Sequence, residues 1–115
     1  MATISISLPF PPTVNTYWRH VGRRTLISKR GRAYKANVAA LCLQAGMRPL
    51  QGDLRVTVVF CPPDRRVRDL DNLWKALLDG MTGRAYFDDS QVAEQHGSWG
   101  PIVKGGRADL VIESL

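Results

Sequence analysis

The chain has 115 residues, 44% hydrophobic and 23% charged, which is one globular domain with apolar content enough for a core, yet small enough for dimerisation to help. No apolar run reaches bilayer length and no basic-then-apolar leader opens the sequence, so a membrane-spanning helix is excluded and a cytoplasmic protein is expected; Cys42 and Cys61, at no metal-ligand spacing, read as reduced core thiols. The net charge of +6 is unevenly laid: residues 1–52 carry eight Lys/Arg and no acid, residues 53–115 eight Lys/Arg and ten acids.

Thr3-Ile4-Ser5-Ile6-Ser7-Leu8 alternates polar and apolar residues and predicts a half-buried strand, ended by Pro9, Pro11 and Pro12. Residues 13–27 read as a loop with room for a short strand at Thr25-Leu26-Ile27. Within it, Tyr17, Trp18, Arg19 and His20 either stack on bases and touch phosphates or form a satellite hydrophobic cluster. Ser28 is an N-cap for a helix over about 29–46, with Tyr34, Val38, Leu41, Leu43 and Ala45 as its apolar stripe. Its first turn holds Lys29, Arg30 and Arg32, which oppose the helix dipole and would suit an anionic ligand. Leu54, Val56, Val58 and Phe60 alternate with Arg55, Thr57, Val59 and Cys61, the clearest strand in the chain. A second helix follows from about Asp71 to Met81, buried through Leu73, Trp74, Leu77, Leu78 and Met81. Residues 91–99 predict a strand, Lys104-Gly105-Gly106-Arg107 a hairpin turn, and 107–114 a last strand facing inward through Ala108, Leu110 and Ile112. The element order predicts an α+β domain: two main helices packed on a mixed or antiparallel sheet.

Six of the ten acids, Asp64, Asp69, Asp71, Asp79, Asp88 and Asp89, fall within 26 residues of an otherwise basic protein. Asp69 and Asp71 straddle the entry to the second helix, and can converge on one cation if the backbone is still extended at Asp69. With Asp88-Asp89 they would suit Mg²⁺, or Mn²⁺ in its place, which activates water and stabilises charge on a phosphoryl oxygen. Lys75 could orient the attacking water or neutralise the transition state, and Asn72 could hold a ligand carboxylate or a water. The structural alternatives are ordinary ones: Asp71 as an N-cap, Asp71 with Lys75 as an i,i+4 pair, and Asp88-Asp89-Ser90 as a turn. Asp64 and Asp79 read as solvent or capping residues. Candidate phosphate contacts are Arg19, Arg23, Arg24, Lys29, Arg30 and Arg32 in the acid-free half, and Arg65, Arg66 and Arg68 beside the acids. No Walker loop or nucleotide fingerprint is present, so no nucleotide cofactor is expected.

These residues carry a resemblance. Pro9-Phe10-Pro11-Pro12 with Asn15, the basic run from Arg19 to Lys35, and Pro63-Asp64-Arg65-Arg66 leading into Asp69-Leu70-Asp71-Asn72-Leu73-Trp74-Lys75-Ala76 are similar to the RusA family of Holliday junction resolvases. Phe87-Asp88-Asp89-Ser90-Gln91-Val92 and Lys104-Gly105-Gly106-Arg107 extend the likeness over nearly the whole chain. The resemblance implies a single RusA-like endonuclease domain over residues 1–115. It also implies a homodimer that makes paired, Mg²⁺-dependent incisions in four-way DNA junctions during recombination and repair. It makes Asp69, Asp71 and Asp89 the essential metal-binding carboxylates and Lys75 the essential lysine, with Asp88 and Asn72 in supporting positions. The competing expectation is a protein that binds branched or single-stranded nucleic acid without cutting it.

Overall fold

The computed structural model describes residues 2–115. In chain order the elements are β1 (Thr3–Leu8), α1 (Val14–Tyr17), β2 (Trp18–Val21), β3 (Arg24–Ile27), α2 (Lys29–Gln44), β4 (Leu54–Cys61), α3 (Trp74–Met81), β5 (Val92–Trp99) and β6 (Arg107–Ser114). Two-residue alternation does what it predicts. Leu54, Val56, Val58 and Phe60 of β4 are completely buried, as are Ala108 and Ile112 of β6, while Arg55, Thr57 and Val59 sit half-buried on the other side. The fold is α+β, with α2 and α3 packed together over one buried sheet layer. Cys42 and Cys61 are both buried and free. Among the described residues no helix is long and apolar enough to cross a membrane.

The main sheet has the order β1-β6-β4-β5. β6 runs antiparallel to both β1 and β4, whereas β5 runs parallel to β4, with Leu54 opposite Val92 and Phe60 opposite Trp99. This corrects the hairpin expected at Lys104–Arg107. Those residues turn the chain, but β5 and β6 lie on opposite sides of β4, so their connection passes over the end of β4. Gly100 N–H donates to the Phe60 carbonyl there (2.8 Å), and Val103 N–H to that of Pro62 (2.9 Å).

Residues 13–27 hold more than a loop and the short strand expected at Thr25-Leu26-Ile27, which is present as part of β3. They form the one-turn helix α1 and a β2–β3 hairpin that reverses at Gly22, whose φ of 59° a side chain would strain. The hairpin pairs through its backbone while most of its side chains stay exposed, so apolar periodicity has nothing to report there. Ser28 caps α2 as expected, accepting from Gly31 N–H at 3.0 Å. The stripe of α2 is shifted: Gly31, Tyr34, Val38 and Cys42 are buried, while Leu43 is 71% exposed and Ala45 lies beyond the helix end at Gln44. Gly31 belongs in this stripe because α1 comes so close; a Cβ there would stand 2.6 Å from the Tyr17 carbonyl oxygen. The second helix begins as a 3-10 turn over Leu70–Leu73 and becomes α-helical only at Trp74.

Candidate active site

The Asp69 backbone is extended (φ −86°, ψ 126°), the condition under which its carboxylate and that of Asp71 can face one cation. Asp69 stands at the N-cap of the 3-10 turn, yet its side chain makes no capping hydrogen bond, and α3 itself starts after Leu73. Capping therefore accounts for neither carboxylate. Both side chains are exposed. The turn that carries them is anchored from below by Trp74. Its indole packs edge-on against Phe60 (5.5 Å between centroids) and lies on Gly97 of β5, where a Cβ would meet the ring at 2.8 Å.

Asp69 and Asn72 line a cleft of about 750 Å³ between the Phe10–Thr16 segment, the first turns of α2 and the Pro63–Asn72 loop. Arg30, Arg66 and Arg68 line it too. Arg68 is committed within the protein: its guanidinium pairs with Asp64 at 2.9 Å, lies over the Phe10 ring at 5.4 Å and donates to the Arg66 carbonyl. The Arg68 pair and the Arg66 backbone N–H hold the Asp64 carboxyl below the ordinary range. Asp64 thus shapes the loop. Arg65 and Arg66 are exposed, as are Arg19, Arg23 and Arg24 on the β2–β3 hairpin and Lys29, Arg30 and Arg32 on the first turn of α2.

Asp88 and Asp89 are carried by a different element. They form the 3-10 turn leading into β5, beside the start of β4, while Asp69 follows the far end of β4. Among the described residues no three His, Cys, Asp or Glu side chains form a group able to hold a metal ion. The donor chemistry of Asp69 and Asp71 still fits Mg²⁺, a hard cation commonly bound through one or two carboxylates with water and substrate phosphate completing its shell. Asp88 is occupied by its turn. It accepts from the Ser90 hydroxyl and backbone N–H, which hold its carboxyl low, and it forms a capping box with Gln91. Gln91 in turn donates to the Leu50 and Gly52 carbonyls at 2.9 Å, tying the turn to the start of β4.

Lys75 does not pair with Asp71. Its Nζ lies 3.9 Å from Asp79, one turn onward, and 5.8 Å from the Trp18 ring centroid. Asp79 is no mere solvent or capping residue. It accepts from the Tyr17 hydroxyl and pairs with Lys35 Nζ at 3.8 Å, so it joins α1, α2 and α3. The Lys75–Asp79 spacing is visible in the sequence; the contacts with Tyr17 and Lys35 bridge residues too far apart for local pattern to show. Tyr17 is completely buried, which removes it as a stacking platform; burial and then the Asp79 carboxylate raise its pKa, so it remains a neutral donor. Trp18 is half-buried under Lys75, and His20 is exposed on β2.

The exposed bases of the β2–β3 hairpin and of the first turn of α2 share one domain with the uncapped carboxylates of Asp69 and Asp71. The family described as Endodeoxyribonuclease RusA matches residues 9–113. Over its full length the chain is 41% identical to the crossover junction endodeoxyribonuclease RusA of Escherichia coli (strain K12), covering 98% of that protein. It is also 41% identical to the protein of the same description from Enterobacteria phage 82, and 39% identical to that of Escherichia coli O139:H28 (strain E24377A / ETEC), again over the whole chain and 98% of each relative. The chain belongs to the RusA endodeoxyribonuclease family.

Proposed function

We propose that this protein is a Holliday junction resolvase: an endodeoxyribonuclease that makes paired incisions in four-way DNA junctions during recombination and repair, in the cytoplasm of a bacterium or of a phage-infected cell. Its support is family membership over nearly the whole chain, together with Asp69 at the edge of an arginine-lined cleft and Asp71 two residues on, neither engaged in capping. A protein that only bound DNA would gain nothing from acids there and would lose affinity through repulsion of phosphate.

On this reading Asp69, Asp71 and Asp89 hold Mg²⁺, or Mn²⁺ in its place. When bound, the ion would lower the pKa of a water and neutralise charge on the scissile phosphate. Lys75 presents its ammonium to the developing phosphorane charge. Asp79 and the Trp18 ring hold that ammonium in place. The exposed bases of the hairpin, of α2 and of Arg65-Arg66 bind phosphates of the junction arms. Symmetric incision calls for two sites related by a two-fold axis, so the active form is a homodimer.

The test is incubation of purified protein with a synthetic four-way junction and with linear duplex, each with and without Mg²⁺. Paired cuts in the junction, only with metal and with the duplex left whole, are expected. Tight junction binding without cutting under every metal condition would establish the non-catalytic alternative instead.

A further inference from the structure

The cleft beside Asp69 is larger than metal and water need. Its volume of about 750 Å³ falls in the roughly 300–1,000 Å³ range of small-ligand sites. Three carboxamides reach it from three separate parts of the chain: Asn15 from α1, Asn37 from α2 and Asn72 from the turn after Asp69. Phe10 and the two prolines after it form an apolar wall, and Arg30 and Arg66 supply cations. Carboxamides offer donor and acceptor together, the pattern that pairs with base edges, whereas arginines answer phosphate. The mixture suits a nucleotide. Bases of an intact duplex are stacked and cannot enter such a concavity; a nucleotide displaced from the stack, as at a branch point, can.

We infer that this cleft receives a single unstacked nucleotide of the bound DNA, next to the phosphate presented to Asp69, and that Asn15 and Asn37 read its base. The inference rests on the resolvase reading for the identity of the DNA. It adds a base-specific pocket built from α1 and α2, and it puts sequence discrimination at the cut on two carboxamides outside the acid cluster.

The first experiment needs no cleavage. Junctions carrying 5-iododeoxyuridine at single positions around the branch are bound without metal, irradiated, and the cross-linked peptides mapped. A branch-point position should cross-link to residues 10–16, 30–37 or 63–72, while substitutions out in the arms should not. Branch-point cross-links confined to other segments would overturn the pocket, whether or not the protein cuts.

The second experiment measures single-turnover cutting of four junctions that differ only in one base flanking the cut. The unaltered protein should discriminate by about tenfold or more, the scale of one good bidentate base contact. Asn15→Ala and Asn37→Ala should flatten that ratio; both side chains are exposed, so the core is undisturbed. Discrimination that survives both substitutions, or that is absent from the start, would refute base reading by these residues while leaving junction resolution intact. A protein that cross-links through the cleft but never cuts would refute the resolvase reading and keep the pocket.

Discussion

Lys75 Nζ is held by a carboxylate one turn onward, not by Asp71 one turn back, so its charge is not spent on neutralising the proposed metal ligands. Lys75→Ala should therefore slow single-turnover cutting by about 100-fold, the effect of losing one preorganised electrostatic group, with junction affinity little changed. An unchanged rate would remove Lys75 from the chemistry. Asp69→Asn and Asp71→Asn should each abolish cutting and leave junction binding equal or tighter, because each removes a negative charge from a phosphate-facing surface; full cleavage by either variant would sink the assignment. Asp79 offers a structural counterpart. Tyr17→Phe deletes its bond from a buried phenol and should destabilise the fold by about 1.5 kcal/mol in urea unfolding. That is the lower end for a bond to a charged group, since the Asp79 side chain remains 23% exposed.

Between elements, the contact that fixes the acid-bearing turn is Trp74 on Gly97. Gly97→Ala would drive a methyl to 2.8 Å from the indole, and a rigid ring cannot yield as a flexible chain end would. The expected loss is about 1–3 kcal/mol of stability, with cutting impaired more than DNA binding because the Asp71 turn moves with the ring. β1, β4, β6 and α3 were legible in the sequence because each turns one face to the core with a fixed period; β5 lies where a strand was expected although none of its side chains is fully buried. Of the β2–β3 hairpin only the strand at Thr25–Ile27 was legible, since most of its side chains face solvent and pairing of backbone leaves no apolar trace. The position of β5 was not legible. Alternation reports which face is buried but not which strand lies alongside, so a turn at Lys104–Arg107 looked like a hairpin. In the site, clustering of acids pointed to Asp69 and Asp71, whereas the role of Asp79 depends on partners as far away as Tyr17. The shifted stripe of α2 shows a further limit: Gly31 is buried for want of a side chain, and a hydrophobicity pattern cannot register that.

For the whole molecule, two responses to solution conditions follow from its charges. Asp64, Asp88, Glu94 and Asp109 all have carboxyls held below their ordinary range. The main partners are Arg68 for Asp64, Ser90 for Asp88, Arg55 for Glu94 and Ser7 for Asp109. A lowered native pKa gives stability that is fully present above the unfolded value of about 4 and is lost as pH falls through the native one. The urea midpoint should therefore hold level near neutrality and decline below about pH 4; a midpoint that rose on acidification would contradict these pairs. Junction binding should weaken steeply with salt. Replacing Arg23, Arg24 and Arg30 with Ala should make the log–log slope shallower by up to about 0.9 for each duplex phosphate that is no longer neutralised. A slope that stayed the same would remove these residues from the interface.

The sheet order has a consequence for the protein's synthesis. β6 follows every other strand in the chain, yet it lies between β1 and β4, with Thr3 opposite Glu113. β1 therefore waits without its partner until residues 107–114 have left the ribosome, and the late strand must insert between two early ones. Such long-range closure slows folding. It also means that a nascent chain already carrying every one of the proposed catalytic carboxylates has no completed sheet to hold them. A nuclease assembled in this order stays inert until β6 has emerged, and a chain stopped before Arg107 should neither fold nor cut.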